Sequence, residues 1–250
     1  MDKHRLPDTP FWVEPESVGE DRLRLSSEES HHLLHVFRAK EGTPFQATDG
    51  GGGFFECVLE SVERRAVIGR IVSRHEGRGE LPRGIQLLVG LPDWQAVEAV
   101  VEHAVPLGAT SIDFVVCERS GREALGPQRI ERLLRVARSG LKQSRRSRLP
   151  DIASSPRLVK AVDSLEEGER YLADAEGKPW EAAASRGGQT PIQLAVGPPG
   201  GFSVEERGLL LDREFAAISL GPSRLTTETA ALAILSLSRN ALANRKLGPY

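Results

Sequence analysis

The sequence has two cysteines in 250 residues. Cys57 and Cys117 lie far apart in apolar, strand-like stretches, which excludes a disulfide framework and a Cys-x-x-Cys metal site and leaves two buried thiols in a reducing compartment. Excess charge is also missing, because the net charge is −2 although charged residues make up 27% of the chain. Any contact with a polyanion must therefore come from a local patch. No apolar run approaches the length of a membrane span, and Met1-Asp2-Lys3-His4-Arg5 leads into no signal-peptide core, so a cytoplasmic protein with no membrane partner is expected. Neither G-x-G-x-x-G nor G-x-x-x-x-G-K-[ST] occurs, which argues against NAD and nucleoside triphosphates. His31 and His35 stand one helical turn apart, but no Glu lies between them as in H-E-x-x-H and no third ligand accompanies them, so no metal is expected.

What is present centres on residues 192–230. The run Ile192-Gln193-Leu194-Ala195-Val196 ends in Gly197-Pro198-Pro199-Gly200-Gly201-Phe202-Ser203, and Ala217-Ile218-Ser219-Leu220 ends in Gly221-Pro222-Ser223-Arg224-Leu225-Thr226-Thr227. Each reads as a buried parallel strand feeding a helix. In an open α/β sheet, ligands bind beyond the carboxyl ends of such strands. The small residues permit main-chain hydrogen bonds to an adenosine-bearing ligand, or simply make tight strand-to-helix turns.

The remaining pattern divides the chain at the Gly, Glu, Arg and Pro-rich stretch from His75 to Arg83. Residues 1–75 read as a small β-rich domain. Its strands are expected at Arg22–Leu25, Pro44–Ala47, Phe54–Val62 and Ala66–Val72, with a glycine hairpin at 49–53. Ser26 and Glu29 have capping-box spacing and open a helix with Leu33, Leu34, Val36 and Phe37 on one face. Residues 84–250 read as α/β: a strand over Gly84–Gly90, a helix over Trp94–Val105, a strand over Ile112–Cys117 and a short strand over Tyr171–Asp174 imply a mainly parallel sheet. The last helix begins near Thr227, capped by that hydroxyl or by Thr226, and is apolar nearly all round through Ala231, Leu232, Ile234, Leu235 and Leu237. Arg129, Arg132, Arg135, Arg138, Lys142 and Arg145 recur at helical spacing, with Arg146 and Arg148 beyond them. Like charges so arranged repel, so the stripe either meets a polyanion or is paired with acids such as Glu166, Glu167 and Glu169.

The motifs Gly-Pro-x-Gly-Gly-Phe-Ser-x-x-Glu at Gly197–Glu206 and Leu-Gly-x-x-x-Leu-x-Thr-Glu-Thr-Ala at Leu220–Ala230 resemble the signature loops of the bacterial 16S ribosomal RNA uracil-N3 methyltransferase family, a SPOUT-class group. Glu118-Arg119-Ser120, Gln143, Arg146, Pro150 and the His31-His32-Leu33 to Gly42 segment resemble the same family. The resemblance implies a PUA-like amino-terminal β-barrel, an α/β methyltransferase domain ending in a trefoil knot, a homodimer, and 16S ribosomal RNA as partner. It implies S-adenosylmethionine held by Leu172, Ala173, Val196, Gly197, Pro198, Gly200, Gly201, Leu220, Gly221, Pro222, Leu225 and Thr227. RNA contacts fall on Arg38, Lys40, Arg135, Arg138, Lys142, Arg145 and Arg148, and the catalytic candidates are Glu228, Arg146 and Arg224. The chain departs from the family pattern at Pro199, where Glu is usual, at Ser223 and Thr226, where arginines are usual, and at His103 and Pro106, where Lys and Glu are usual. Ser and Thr cannot replace an arginine's fixed charge and planar donor fork, though Arg224 adjoins one vacant position. A relative that binds RNA but turns over weakly, or one with another RNA substrate, remains the alternative.

Overall fold

Alternating apolar residues build the amino-terminal sheet from β1 (Phe11–Trp12), β2 (Arg22–Arg24), β3 (Pro44–Thr48), β4 (Gly53–Glu63) and β5 (Ala66–Glu76) in the order β1-β3-β4-β5-β2. β1 runs parallel to β3 and every other pair is antiparallel. The computed structural model describes residues 9–180 and 189–243. Two compact units divide the chain: the chain up to Glu80 together with Arg138–Leu149, and Leu81–Ala137 together with the chain from Pro150. The expected amino-terminal barrel is instead a curled half-barrel. Its edge strands span only two and three residues, too few to close it, while irregularities at Glu56/Cys57 and Leu59/Ser61 bend the long β4–β5 pair. Phe11, Leu23, Leu25, Leu33, Phe45, Cys57 and Val67 fill the concave side.

The helix opened by Ser26 is shorter than its apolar pattern suggests. In α1 (Ser27–His31) the Ser26 hydroxyl accepts the Glu29 amide at 3.2 Å, but the Glu29 carboxylate takes Lys142 Nζ at 2.5 Å rather than completing a capping box. A π-helical turn follows at His32–Val36. The wider turn carries Val36 and Phe37 outward, 61% and 38% exposed, and leaves Leu33 buried.

Residues 138–149 complete this unit through one buried ion pair. The Arg146 guanidinium meets Glu80 Oε2 at 2.7 Å through Nη2, and Glu80 Oε1 accepts the Ser147 and Arg148 amides at 3.0 and 2.9 Å. Arg146 is 2% exposed. Trp12 packs under the Arg138 guanidinium at 4.5 Å.

The second unit is an all-parallel six-stranded sheet made of β6 (Ile85–Gly90), β7 (Ala109–Val115), β8 (Asp151–Ser155), β9 (Glu169–Pro179), β10 (Ile192–Val196) and β11 (Ala216–Ser219), in the order β11-β9-β10-β6-β7-β8. β10 is buried throughout, as expected of a strand covered on both faces. α2 (Trp94–Leu107) is capped by Asp93 and ends at Gly108 in the left-handed region, with Val97, Val100, Val101 and Ala104 inward. α2 packs with α6 (Thr227–Ala243) against β6, β7 and β10. Elsewhere α4 (Leu158–Asp163) and α5 (Val204–Asp212) bury Leu158, Ala161, Val162 and Leu210 with Leu88, Leu172 and Ala195. The division between the units falls within α3 (Pro127–Ser144), which turns Leu133, Ala137 and Leu141 inward. Among the described residues no helix is long and apolar enough to cross a membrane.

Three outcomes follow. Glu80→Ala takes a carboxylate from the buried Arg146 guanidinium and the acceptor from two amides, so it is expected to cost about 3 kcal/mol, and Arg146→Met less because Glu80 keeps its amide donors; urea melts measure both. Burial pushes both cysteine thiols up to about 12. They stay protonated in the native protein at neutral pH, and thiol reagents should label them at an appreciable rate only after unfolding. Because thiols ionise first in the unfolded chain, stability should fall as pH rises from about 9 toward 12, which alkaline melts would follow.

Candidate functional site

Three neighbouring strands, β11, β9 and β10, end at one cavity of about 280 Å³. From β10 comes the loop Val196–Phe202, and from β11 the loop Leu220–Thr226 with Thr227 and Ala230 of α6. β9 contributes Ala173, Asp174 and Ala175 through a bulge, because its pairing to β11 jumps from Leu172↔Ala217 to Lys178↔Ile218. At the mouth of the sheet the chain approaches itself closely: a Cβ on Gly90, the last residue of β6, would stand 2.4 Å from Pro198 N.

The irregular 197–202 backbone is held by side chains from other segments. Thr227 Oγ1 donates to Gly197 O at 3.0 Å, Arg224 Nη2 to Pro199 O at 3.3 Å, and Arg119 Nη1 to Gly200 O and Phe202 O at 3.1 and 3.3 Å. Within the loop Gly201 N–H closes a turn on Pro198 O at 2.7 Å. Ser203 and Glu206 then form a full capping box that starts α5, and Glu206 Oε1 also accepts the Glu118 amide at 2.8 Å. The start of α6 is likewise settled. The Thr226 hydroxyl accepts the Thr229 amide at 3.4 Å, which frees Thr227 to hold Gly197.

All the residues expected around a cofactor line this cavity except Leu172, which is buried in the apolar layer beneath, and the exposed Pro222. Pro199, Ser223, Thr226 and Ala230 line it as well, as do Asp174, Ala175 and Phe202. Asp174 had no sequence signal, because the bulge that presents it depends on strand pairing. Its carboxylate accepts Arg207 Nε and the Glu176 amide, and this hydrogen bond raises the Arg207 pKa above its ordinary value. The Ser-x-x-Glu spacing at Ser203 would have located the α5 cap.

Of the catalytic candidates, Arg224 lines the cavity. Glu228 is half-buried in the first turn of α6, and its side chain has no hydrogen bond or ion pair among the described residues. Arg146 is the buried partner of Glu80.

The basic stripe is mostly paired, with acids other than those expected. Arg132 meets Glu98 at 2.7 Å, Arg138 Glu14 at 3.4 Å, Lys142 Glu29 at 2.5 Å, and Arg148 Glu76. Glu169 instead holds Arg83 at 2.9 Å. Arg129 and Arg132 lie over the Trp94 ring. Arg135 is exposed and has no ion pair among the described residues. Arg38, Lys40 and Arg145 are exposed too, Arg38 and Arg145 with left-handed backbones. The His31 and His35 rings stack at 4.5 Å, and no three metal-ligating side chains converge among the described residues.

Comparison with known proteins joins these observations. The RNA methyltransferase domain family matches residues 79–239, and the RNA methyltransferase PUA domain matches residues 25–72. The ribosomal RNA small subunit methyltransferase E of Synechocystis sp. is 28% identical over 232 residues, covering 90% of this chain and 75% of that protein. The protein of the same name from Mycobacterium bovis is 29% identical over 221 residues, covering 84% and 83%. A methyltransferase structure from Legionella pneumophila, solved with bound SAM, superposes with a TM-score of 0.78 at 27% identity over 95% of this chain and 98% of that one. The chain therefore belongs to the RNA methyltransferase domain family, in the group of the small-subunit ribosomal RNA methyltransferases E, with that group's PUA domain ahead of its methyltransferase domain.

Proposed function

We propose that this protein methylates N3 of a uridine in 16S ribosomal RNA, using S-adenosylmethionine bound in the cavity at the ends of β9, β10 and β11. The observation that carries this reading is the convergence of both glycine-rich loops on one cavity. Its lining suits an adenosine-bearing ligand. It is built from small residues and exposed main chain with Val196, Leu220 and Leu225, and Gly201, at φ +73°, leaves open space where a Cβ would stand. The resemblance to SAM-bound relatives supports the same ligand. The homodimer, the trefoil knot and a cytoplasmic setting belong to this reading. The first is supported by the half-buried Leu232 and Leu237 of α6, the second by the ties from Thr227 and Arg224 back to the 197–202 loop.

When bound, S-adenosylmethionine supplies an electrophilic methyl on a sulfonium. The protein must hold the uracil in line with that methyl and accommodate the loss of the N3 proton. Arg224 is the one cation among the described residues that line the cavity, so we assign it the developing charge on the base. Its hydrogen bond to Pro199 O occupies one nitrogen and leaves other donors of the guanidinium. Glu228 follows the lining residue Thr227 without itself lining the cavity, its carboxylate is unengaged among the described residues, and we assign it the proton. Arg146 is left out of the chemistry, because Glu80 holds its guanidinium in a buried pair. For RNA, Arg135, Arg38 and Lys40 are the contacts, with Arg138, Lys142 and Arg148 at the cost of their acidic partners and Arg145 beside them.

Mass analysis of ribosomal RNA tests the activity. Cells lacking the protein should lose one methyluridine of 16S RNA, restored by the wild type and not by Gly201→Val, whose β-branched side chain meets an unfavourable positive φ inside the cavity. An unchanged modification profile with RNA binding retained would instead support a binding protein, a reading favoured by Ser223 and Thr226 where the resemblance leads one to expect arginines. The stripe should behave unevenly. Arg135→Gln should leave the melting temperature unchanged and flatten the salt dependence of RNA binding by up to about one unit of log–log slope. Arg138→Gln should lower stability by about 0.5–1 kcal/mol through the loss of Glu14 and Trp12. Thermal melts and filter binding across a salt series separate the two.

A further inference from the structure

Among the described residues one anionic side chain lines the cavity, Asp174, and its environment indicates the kind of group it faces. The β9 bulge presents it, Glu176 N–H donates to Oδ1 at 2.9 Å, and Arg207 from α5 donates to Oδ2. The side chain is 13% exposed, so the carboxylate is fixed before any ligand arrives. A carboxylate has about four acceptor positions, and these two bonds leave about one open on each oxygen. Arg207 already offsets the negative charge, and the Glu176 carboxylate stands a further 3.6 Å from that guanidinium. A neutral donor pair therefore suits the site better than a second cation, which would face Arg207.

We propose that Asp174 accepts both hydroxyls of a ribose 2′,3′-diol and so fixes the nucleoside end of the cofactor. Two adjacent O–H donors match two oxygens with one open position each. An acidic residue plays the same part toward the ribose of dinucleotides in other α/β folds. The assignment rests on the cofactor reading above and adds an orientation to it: the ribose lies on the β9 side of the cavity, and Arg224 and Thr226 lie on the loop that follows β11.

Calorimetry with S-adenosylhomocysteine and methylthioadenosine tests this without turnover, since the second ligand keeps the ribose and lacks the amino-acid ammonium. Asp174→Ala and Asp174→Asn should weaken both ligands by the same factor, about tenfold or more. A 2′,3′-dideoxy analogue of methylthioadenosine should bind the wild type and both variants alike. If Asp174→Ala fails to fold for want of an Arg207 partner, Asp174→Asn still carries the test, because it keeps an acceptor for the Glu176 amide. A loss confined to S-adenosylhomocysteine would assign the carboxylate to the ammonium and overturn the proposal, and so would unchanged affinities. A wild-type protein that binds neither ligand would overturn the cofactor reading itself, and this assignment with it.

Discussion

The cavity depends on satisfying a stretch of main chain that belongs to no regular element. Residues 197–202 leave the sheet where β10 ends, and their carbonyls lose their strand partners there. Where such a carbonyl is withdrawn from water, as at the half-buried Gly197, leaving it unpaired costs about as much as a lost hydrogen bond, whereas Pro199 and Gly200 are exposed and their bonds chiefly fix the loop's course. Arg119 from one segment, and Arg224 and Thr227 from another, supply the missing donors. Each of those bonds also fixes a cavity wall. Supporting the loop and shaping the site are thus one set of interactions, and a side chain that appears merely to brace a turn also decides what the turn can hold.

Much of this architecture was legible because it is local. Apolar runs bounded by Gly and Pro marked β6 and β10, the 3.6-residue spacing of Val97, Val100, Val101 and Ala104 gave the inner face of α2, and the two glycine-rich loops stood out by composition. What escaped was non-local. β9 runs to Pro179 rather than Asp174 because its second half pairs with Ile218 and Ser219, which no pattern within β9 announces. The π turn at His32–Val36 has the same apolar spacing as an ordinary helix, so the outward rotation of Phe37 was invisible. The curled sheet stops short of a barrel because its edge strands are brief, and strand length is the least legible property of short alternating runs.

The basic stripe shows how far a charge pattern can be read. Repulsion along the helix is a sound inference from spacing, but its relief is not fixed by spacing. Glu14, Glu29, Glu76, Glu80 and Glu98 lie 34 to 124 positions from their partners, and a one-dimensional pattern gives no reason to choose them over Glu166 or Glu167. Pairing also grades the cations. Arg146 has become part of a core, Lys142 and Arg138 are partly committed, and Arg135 projects into solvent. A polyanion would meet a surface whose available charge is much smaller than its count of arginines.

The strand order β11-β9-β10 carries a consequence for how the molecule is made. β11 has no other neighbour among the described strands, so its edge forms only once β9 is in place, and β10 and α5 separate those two strands in the chain. Parallel pairings of this kind meet their loop-closure entropy before any contact rewards it, and they form slowly. The 220–226 loop has nothing to close upon until that sequence is complete. Ligand-binding competence should therefore appear last in refolding, after the compact sheet and after most of the helical signal, so the site itself marks the end of assembly.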